Sequence, residues 1–233
     1  MKIRIGDFER YGTKKTTDGM MFTFALFTEE DCAICLYDRK NKKLIEEVTL
    51  PDAYRIGQVY SVELMGSKWE RYCYRIRQGK QLYVDPYATS IAGREVWNDT
   101  MRFGQDDGCY GAFDVTYELP AQRGRWIEAQ DMVMYKLHMR GFTMQHGFKN
   151  AEKGTDAGIL AGLPYLQKLG ITSLEFQPFY EFEEVFYEKR QSLDENGTSL
   201  VTYVPQEKTN YWGYGDAYYF APKASYFGGI QAP

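Results

Sequence analysis

Met132-Val133-Met134-Tyr135-Lys136-Leu137-His138-Met139 and Ile171-Thr172-Ser173-Leu174-Glu175-Phe176-Gln177-Pro178 bracket the stretch that decides the fold. The first is a nearly continuous apolar run without clean alternation, the way a strand buried on both faces of a parallel sheet reads, and the second reads as another buried strand. Between them Thr155-Asp156 offers a helix N-cap, and Ile159, Leu160, Leu163, Leu166 and Leu169 recur at helical spacing up to Gly170. Pro164 falls inside that pattern and predicts a split or a kink. Strand, helix and strand in so short a stretch read as a βαβ unit with the usual right-handed crossover.

Upstream, the chain changes character. Met21–Leu26, Ala33–Tyr37, Lys43–Thr49, Val59–Leu64 and Tyr72–Arg77 are short runs rich in β-branched and aromatic residues, separated by turn signals such as Thr17-Asp18-Gly19 and Gln78-Gly79-Lys80. Strands of this length at near-regular spacing predict an antiparallel sandwich. Arg71-Tyr72-Cys73-Tyr74-Arg75-Ile76 shows the alternation that turns every second side chain inward. The sandwich reading ends near Leu119-Pro120, and the polar Ala121–Arg125 opens a linker.

Downstream of Pro178 no regular pattern continues. Glu181–Glu188 is acidic and aromatic, and Asp194-Glu195-Asn196-Gly197 is a turn, so a long loop is expected, of the kind that carries function. Aromatic residues crowd between Tyr203 and Phe227, downstream of the second parallel strand. The C-terminal ends of such strands are where α/β sheets and barrels place ligands.

The composition agrees with a globular protein of 233 residues, with 44% hydrophobic and 26% charged residues. Its net charge of −4 lacks the basic footprint of a nucleic-acid binder. No run approaches the roughly 20 apolar residues of a membrane span. Met1–Arg10 carries charges at Lys2, Arg4, Asp7 and Glu9 and has no apolar core of a signal peptide, so the expected address is cytoplasmic. Tyrosine is in excess, 20 residues beside 14 Phe and 4 Trp, which suits surfaces that meet ligands with apolar faces and hydroxyl rims.

Cys32-Ala-Ile-Cys35 lies in a strand-like apolar run, and with Cys73 and Cys109 it offers no second pair at metal-ligand spacing. These four are read as buried structural thiols. Two histidines alone, His138 and His146, leave no His-rich metal site, and no cofactor is expected.

Several motifs here resemble the α-amylase superfamily, glycoside hydrolase family 13, above all its type I pullulanases, isoamylases and branching or debranching enzymes. Met134–Thr143 looks like the first barrel strand of that group, and Leu163–Thr172 is similar to its first barrel helix and the turn into strand two. Leu174-Glu175-Phe176-Gln177-Pro178-Phe179 resembles the second-strand motif. Asn210-Tyr211-Trp212-Gly213-Tyr214 through Tyr219-Phe220-Ala221-Pro222 and Tyr226 resembles the Asn-Trp-Gly-Tyr-Asp-Pro block that follows. Val84-Asp85-Pro86-Tyr87-Ala88 is similar to the end of the starch-binding-like module that precedes these barrels. Two departures stand out: Tyr211 is inserted into the Asn-Trp pair, and Gly215-Asp216-Ala217 replaces Asp-Pro.

The resemblance implies an all-β immunoglobulin-like sandwich over residues 1–120, a linker over 121–132, and over 133–233 the first βαβ part of a (β/α)8 TIM barrel, truncated. It implies an enzyme that cleaves α-glucosidic bonds of starch, glycogen or pullulan with retention, and leaves its calcium dependence open. The family's nucleophilic Asp, acid/base Glu and stabilising Asp would all fall after Pro233, so no catalytic residue is expected in this chain, which would itself be inactive. Tyr214 matches the tyrosine that stacks under the sugar, and Trp212 adjoins it; the plainer alternative is that both pack the loop against the barrel mouth. His138 and Arg140 are expected to orient that loop, with Tyr219 and Pro222 as anchors. Glu175 reads as a satisfied polar group inside the barrel, and Glu183-Glu184 as a solvated charged loop. Two rivals remain: a non-catalytic α-glucan-binding module that uses exposed Trp69 and Trp97, and a partner chain that completes a barrel with a second polypeptide.

Overall fold

In the computed structural model, the residues described are 1–25, 30–100, 108–113, 124, 126–144, 147, 149–193, 196 and 199–227. They form two compact units. One is drawn from Met1–Gly93, Cys109–Pro120 and Tyr218–Pro222, the other from Arg94–Gly108, Ala121–Ala217 and Lys223–Pro233. Leu26, His146 and most of the polar stretch Ala121–Arg125 lie outside the described residues, as does all of the 194–197 turn except Asn196.

The first unit is antiparallel β structure. Its strands are β1 (Ile3–Ile5), β2 (Gly12–Lys15), β3 (Gly19–Ala25), β4 (Cys32–Asp38), β5 (Leu44–Thr49), β6 (Arg55–Ile56), β7 (Val59–Met65), β8 (Tyr72–Gln78), β9 (Gln81–Tyr83), β10 (Ile91–Ala92) and β11 (Tyr110–Ala112). One sheet has the order β1-β7-β3-β2, with β6 on β7; the other runs β10-β11-β8-β4-β5, with β9 on β8. Period-two alternation turns Met20, Phe22 and Phe24 of β3 and Val62 and Leu64 of β7 to one side. There they meet Ile34 and Leu36 of β4 and Tyr74 and Ile76 of β8 in a common buried core. Two sheets that share one core make a sandwich, and each such side chain contributes roughly 1.5–3 kcal/mol by leaving water.

The alternation expected in 71–76 is present, but β8 is covered on both sides. Cys73 packs with Ala92, Tyr110 and Ala112. Arg75 sits 4.1 Å over the Tyr110 ring and donates from Nε to the Cys109 carbonyl at 2.8 Å. All four cysteines are buried as thiols. Burial pushes the Cys32 thiol up to about 12 and the Cys35 thiol up to about 11, which makes both poor nucleophiles. Trp69, an exposed sugar contact in the rival binding-module reading, is instead a core residue at 3% exposure. Its ring meets Phe22 and Phe113 edge-on, and its Nε1 donates to the Gly66 carbonyl at 3.1 Å.

The second unit contains β12 (Met134–Leu137), α1 (Met139–Met144), α2 (Asp156–Lys168) and β13 (Ser173–Phe176). The two strands pair in parallel, Met134 opposite Ser173 through Leu137 opposite Phe176. Thr155 takes the extended cap conformation. At the other end Gly170 N–H bonds the Gln167 carbonyl and Ile171 N–H the Leu166 carbonyl, a paired closure that needs the left-handed Gly170 at φ +79°. Leu137, Met139, Ile159, Leu166, Phe182 and Tyr226 form the core.

Three expectations change here. Pro164 does not split the helix: α2 runs through it as one element. The amide that proline lacks would have served the carbonyl of Leu160, and Leu160 is exposed, so water can take that carbonyl. Next, β12 is not buried on both faces, because Met134 and Tyr135 are 53% and 36% exposed and only Leu137 is fully covered. Finally, the stretch after Pro178 is not an irregular loop. It holds β14 (Tyr180–Phe182) and a ribbon of β15 (Val185–Leu193) antiparallel to β16 (Ser199–Thr209), before β17 (Ala217–Pro222). Nearly all described ribbon side chains are exposed, so neither face carries the apolar alternation that marks a strand.

Candidate functional site

His138 follows β12 directly, where the chain turns into α1. Its Nδ1 accepts the Gly141 N–H at 2.9 Å, so Nε2 carries the proton and donates to the Tyr211 carbonyl at 2.8 Å. The imidazole also lies flat on the Tyr211 ring, with centres 4.6 Å apart and planes 20° apart. Burial holds His138 below the ordinary histidine value; the Arg140 charge acts the same way, against the Tyr211 carbonyl. The inserted Tyr211 is therefore the residue that joins the end of β12 to the aromatic segment.

Trp212 and Tyr214 project from that segment, 54% and 61% exposed. Trp212 stands edge-on to His138 and to Tyr211, with centres 5.6 Å and 5.5 Å away. Gly213 separates the two rings at φ +77°, and a Cβ there would overlap the Phe182 ring. Asn210 closes the segment: its Nδ2 donates to the Tyr214 and Glu183 carbonyls at 3.2 Å and 3.1 Å, and its Oδ1 accepts Gly213 N–H at 3.1 Å. Its own N–H reaches the Glu184 carbonyl at 2.8 Å. Two aromatic side chains thus stand in solvent on a backbone whose polar groups are tied down. That is a surface on which the apolar face of a ring-shaped polar ligand can stack.

Beneath the segment lies an ionic group that sequence reasoning missed. Lys223 is fully buried between Glu181 and Glu184, with Nζ 2.9 Å and 2.8 Å from their carboxylates and 2.9 Å from the Phe182 carbonyl. The remaining oxygens are also engaged: Glu181 Oε2 accepts Ala224 N–H at 2.7 Å and Glu184 Oε1 accepts Asn98 N–H at 3.0 Å. Burial pushes the Glu181 carboxyl up, against the opposing pull of Lys223 and Arg94. Glu183 pairs with Arg94 at 2.7 Å. The expected solvated loop at Glu183-Glu184 is thereby corrected, since Glu184 has no exposed surface. No local signal could have found this group, because Lys223 lies some forty residues from its partners in the chain.

The other candidates fall elsewhere. Glu175 is not enclosed; its half-exposed carboxylate pairs with Lys136 at 2.7 Å. Trp97 belongs to this second unit and is not an open platform. Tyr226 stacks on it at 5.5 Å, Phe182 and Tyr211 meet it edge-on, and the Arg140 guanidinium lies 4.8 Å over its ring. Tyr219, read as an anchor, is 60% exposed.

No protein-family model matches the chain. Among curated proteins it is 28% identical over 240 residues to isoamylase 1, chloroplastic, of Arabidopsis thaliana, covering 93% of this chain and 29% of that protein. It is 30% identical over 242 residues to the glycogen debranching enzyme of Yersinia enterocolitica, covering 92% of this chain and 34% of the enzyme. The chain therefore spans about a third of the length of these relatives. Among solved structures, the pullulanase of Anoxybacillus sp. LM18-11 complexed with maltotriose superposes with a TM-score of 0.65 at 22% identity, over 93% of this chain and 29% of that one. The pullulanase of Bacillus acidopullulyticus gives 0.66 at 21%, over 93% and 25%. The chain is a homologue of the isoamylases and glycogen debranching enzymes, the debranching group of the α-amylase superfamily, and matches the N-terminal part of those proteins.

Proposed function

We propose that this chain is the N-terminal portion of an α-glucan debranching hydrolase that cleaves α-glucosidic bonds of starch, glycogen or pullulan with retention. In this reading residues 1–120 are its immunoglobulin-like, starch-binding-module-like sandwich and 121–132 the linker. Residues 133–233 begin the catalytic (β/α)8 barrel, with β12, α2 and β13 as its first strand, helix and strand. The chain's own share is sugar binding: glucose rings stack on Tyr214 and Trp212 while their hydroxyls hydrogen-bond around the rim. The observation that carries this is the pair of exposed rings held on a hydrogen-bonded turn, in a protein similar to enzymes solved with maltooligosaccharides.

A retaining glycosidase works with two carboxyl groups about 5–5.5 Å apart around the scissile bond. Glu181 and Glu184 do not suit that work, because all four of their oxygens are held by Lys223 and backbone amides. They are anchors, and acid–base catalysis is assigned to other residues of the whole enzyme. The exposed apolar side chains Met134 and Tyr135 on β12 favour further strands beside this pair, from the same polypeptide or from a second one. The four buried thiols suit a reducing compartment such as the cytoplasm.

Titration with maltotetraose, followed by tryptophan fluorescence and calorimetry, tests the binding role. Saturable binding that is lost in Tyr214→Ala is expected, and absence of binding at millimolar sugar would overturn it. The full-length gene product is expected to hydrolyse pullulan or soluble starch; turnover of neither would sink the hydrolase reading.

A further inference from the structure

The two exposed rings are useful to a ligand only if their spacing is fixed before it arrives. A segment that must be ordered on binding subtracts that ordering cost from the affinity. Asn210 removes most of this freedom, since its side chain spans the turn from Gly213 N–H to the Tyr214 carbonyl while its amide groups grip the Glu183 and Glu184 carbonyls. The turn is therefore only as well placed as residues 183–184.

Those residues are held from below. The ammonium of Lys223 has three donors, and three acceptors meet them: Glu181, Glu184 and the Phe182 carbonyl. Every carboxylate oxygen of the two glutamates is occupied. A buried ion group of this kind adds little net stability compared with an apolar replacement of the same shape, but it defines one geometry. Glu184 carries this outward twice: through its carbonyl to Asn210, and through its carboxylate to Asn98, whose Oδ1 accepts the Thr209 hydroxyl at 3.1 Å. Phe182, between the two glutamates, is the ring against which Gly213 turns.

The geometry points to Asn210 and the buried Glu181–Lys223–Glu184 group as one positioning unit that sets the sugar-stacking geometry of Trp212 and Tyr214. This rests on the glucan-stacking role given to those rings, yet its first readout needs no sugar. Asn210→Ala removes the side-chain clasp from a partly exposed site. The triple variant Glu181→Gln, Lys223→Met, Glu184→Gln removes all charge from the buried group without leaving an unpaired ion.

Amide hydrogen exchange by NMR on the whole chain is the test. In Asn210→Ala the Gly213 amide is expected to exchange at least about tenfold faster, while amides of α2 keep their protection. The triple variant is expected to loosen the same amide and to broaden the Trp212 indole signal. Where the unaltered chain binds maltotetraose, both variants should raise Kd about tenfold, although neither substitutes Trp212 or Tyr214. If Gly213 exchange stays at the unaltered rate in Asn210→Ala, the positioning role is overturned, whatever the sugar does. If the triple variant fails to fold, Glu184→Gln alone is read in the same way, and unchanged Gly213 exchange there removes the buried group from the proposal. Absence of maltotetraose binding in the unaltered chain, with faster exchange in both variants, counts against the glucan role and leaves the positioning unit supported.

Discussion

The imidazole of His138 and the phenol of Tyr211 lie in parallel, 4.6 Å between ring centres, while His138 Nε2 donates to the Tyr211 backbone carbonyl at 2.8 Å. One residue at the end of a strand thus reads both the ring and the backbone of a residue 73 positions later. The arrangement needs a neutral imidazole, because a proton on Nδ1 would face the Gly141 N–H.

His138 should consequently titrate below the ordinary histidine value of 6.5. A folded-state value depressed in this way contributes stability that is present above the unfolded value and lost as pH falls through the folded one. An NMR titration of the imidazole carbon-bound protons measures it directly. A midpoint at or above 6.5 would contradict the geometry.

Trp212→Ala and Tyr214→Ala should each weaken maltotetraose binding about tenfold or more. Because both rings are exposed, unfolding free energy should move by only about 0.5 kcal/mol. Calorimetric titration and urea melts separate the two effects. A large loss of stability with unchanged binding would return both residues to the alternative role of packing the loop.

Gly213→Ala combines a left-handed backbone at φ +77° with a methyl directed into the Phe182 ring. The expected cost is about 1–3 kcal/mol, more than exposed loop positions ordinarily show. Denaturant melts monitored by a probe in the second unit give the value. A cost below about 0.5 kcal/mol would mean that the turn is not clamped as described.

Asp85 in the sandwich predicts a pH effect of the opposite sign from His138. Burial pushes its carboxyl up to about 6, despite hydrogen bonds from the Tyr74 hydroxyl and the Tyr87 amide, each 2.9 Å long. A raised carboxyl means that the folded state holds the proton more tightly, so stability falls as pH rises from about 4 to above 6, by at most about 3 kcal/mol. Asp85→Asn should flatten that slope in thermal melts at stepped pH, and an unchanged slope would assign it to another group.

Cys32 and Cys35, with thiols raised to about 12 and about 11, should not react with a disulfide reagent at pH 8 while the sandwich is folded. Release of two or more thiols without denaturant would contradict their burial.

The sandwich strands were legible because each is a short local run rich in β-branched and aromatic residues bounded by turn signals, and Phe22, Ile34, Val62 and Tyr74 from four such runs meet in the core. The N-cap and closing glycine of α2 were equally local, and so was the aromatic segment with Trp212 and Tyr214. That Pro164 does not split α2 depends on whether one carbonyl can find water, which is a matter of exposure at Leu160. The ribbon of β15 and β16 escaped because exposed strands have no buried face to pattern them. Trp69 and Trp97 were misread because a tryptophan in sequence carries no sign of whether its faces are already taken.

By itself, the sequence determined the strands of the sandwich, the strand–helix–strand unit, the debranching-enzyme kinship and the segment that bears the candidate sugar contacts, all of which are written in short-range patterns and motifs. Only the tertiary structure decided that Tyr211 is the link to His138, that Asn210 clasps the turn, and that Glu181 and Glu184 are spent on Lys223. Those relationships join residues tens of positions apart, and a buried ion or hydrogen-bond partner is chosen by proximity in space, which no local pattern encodes.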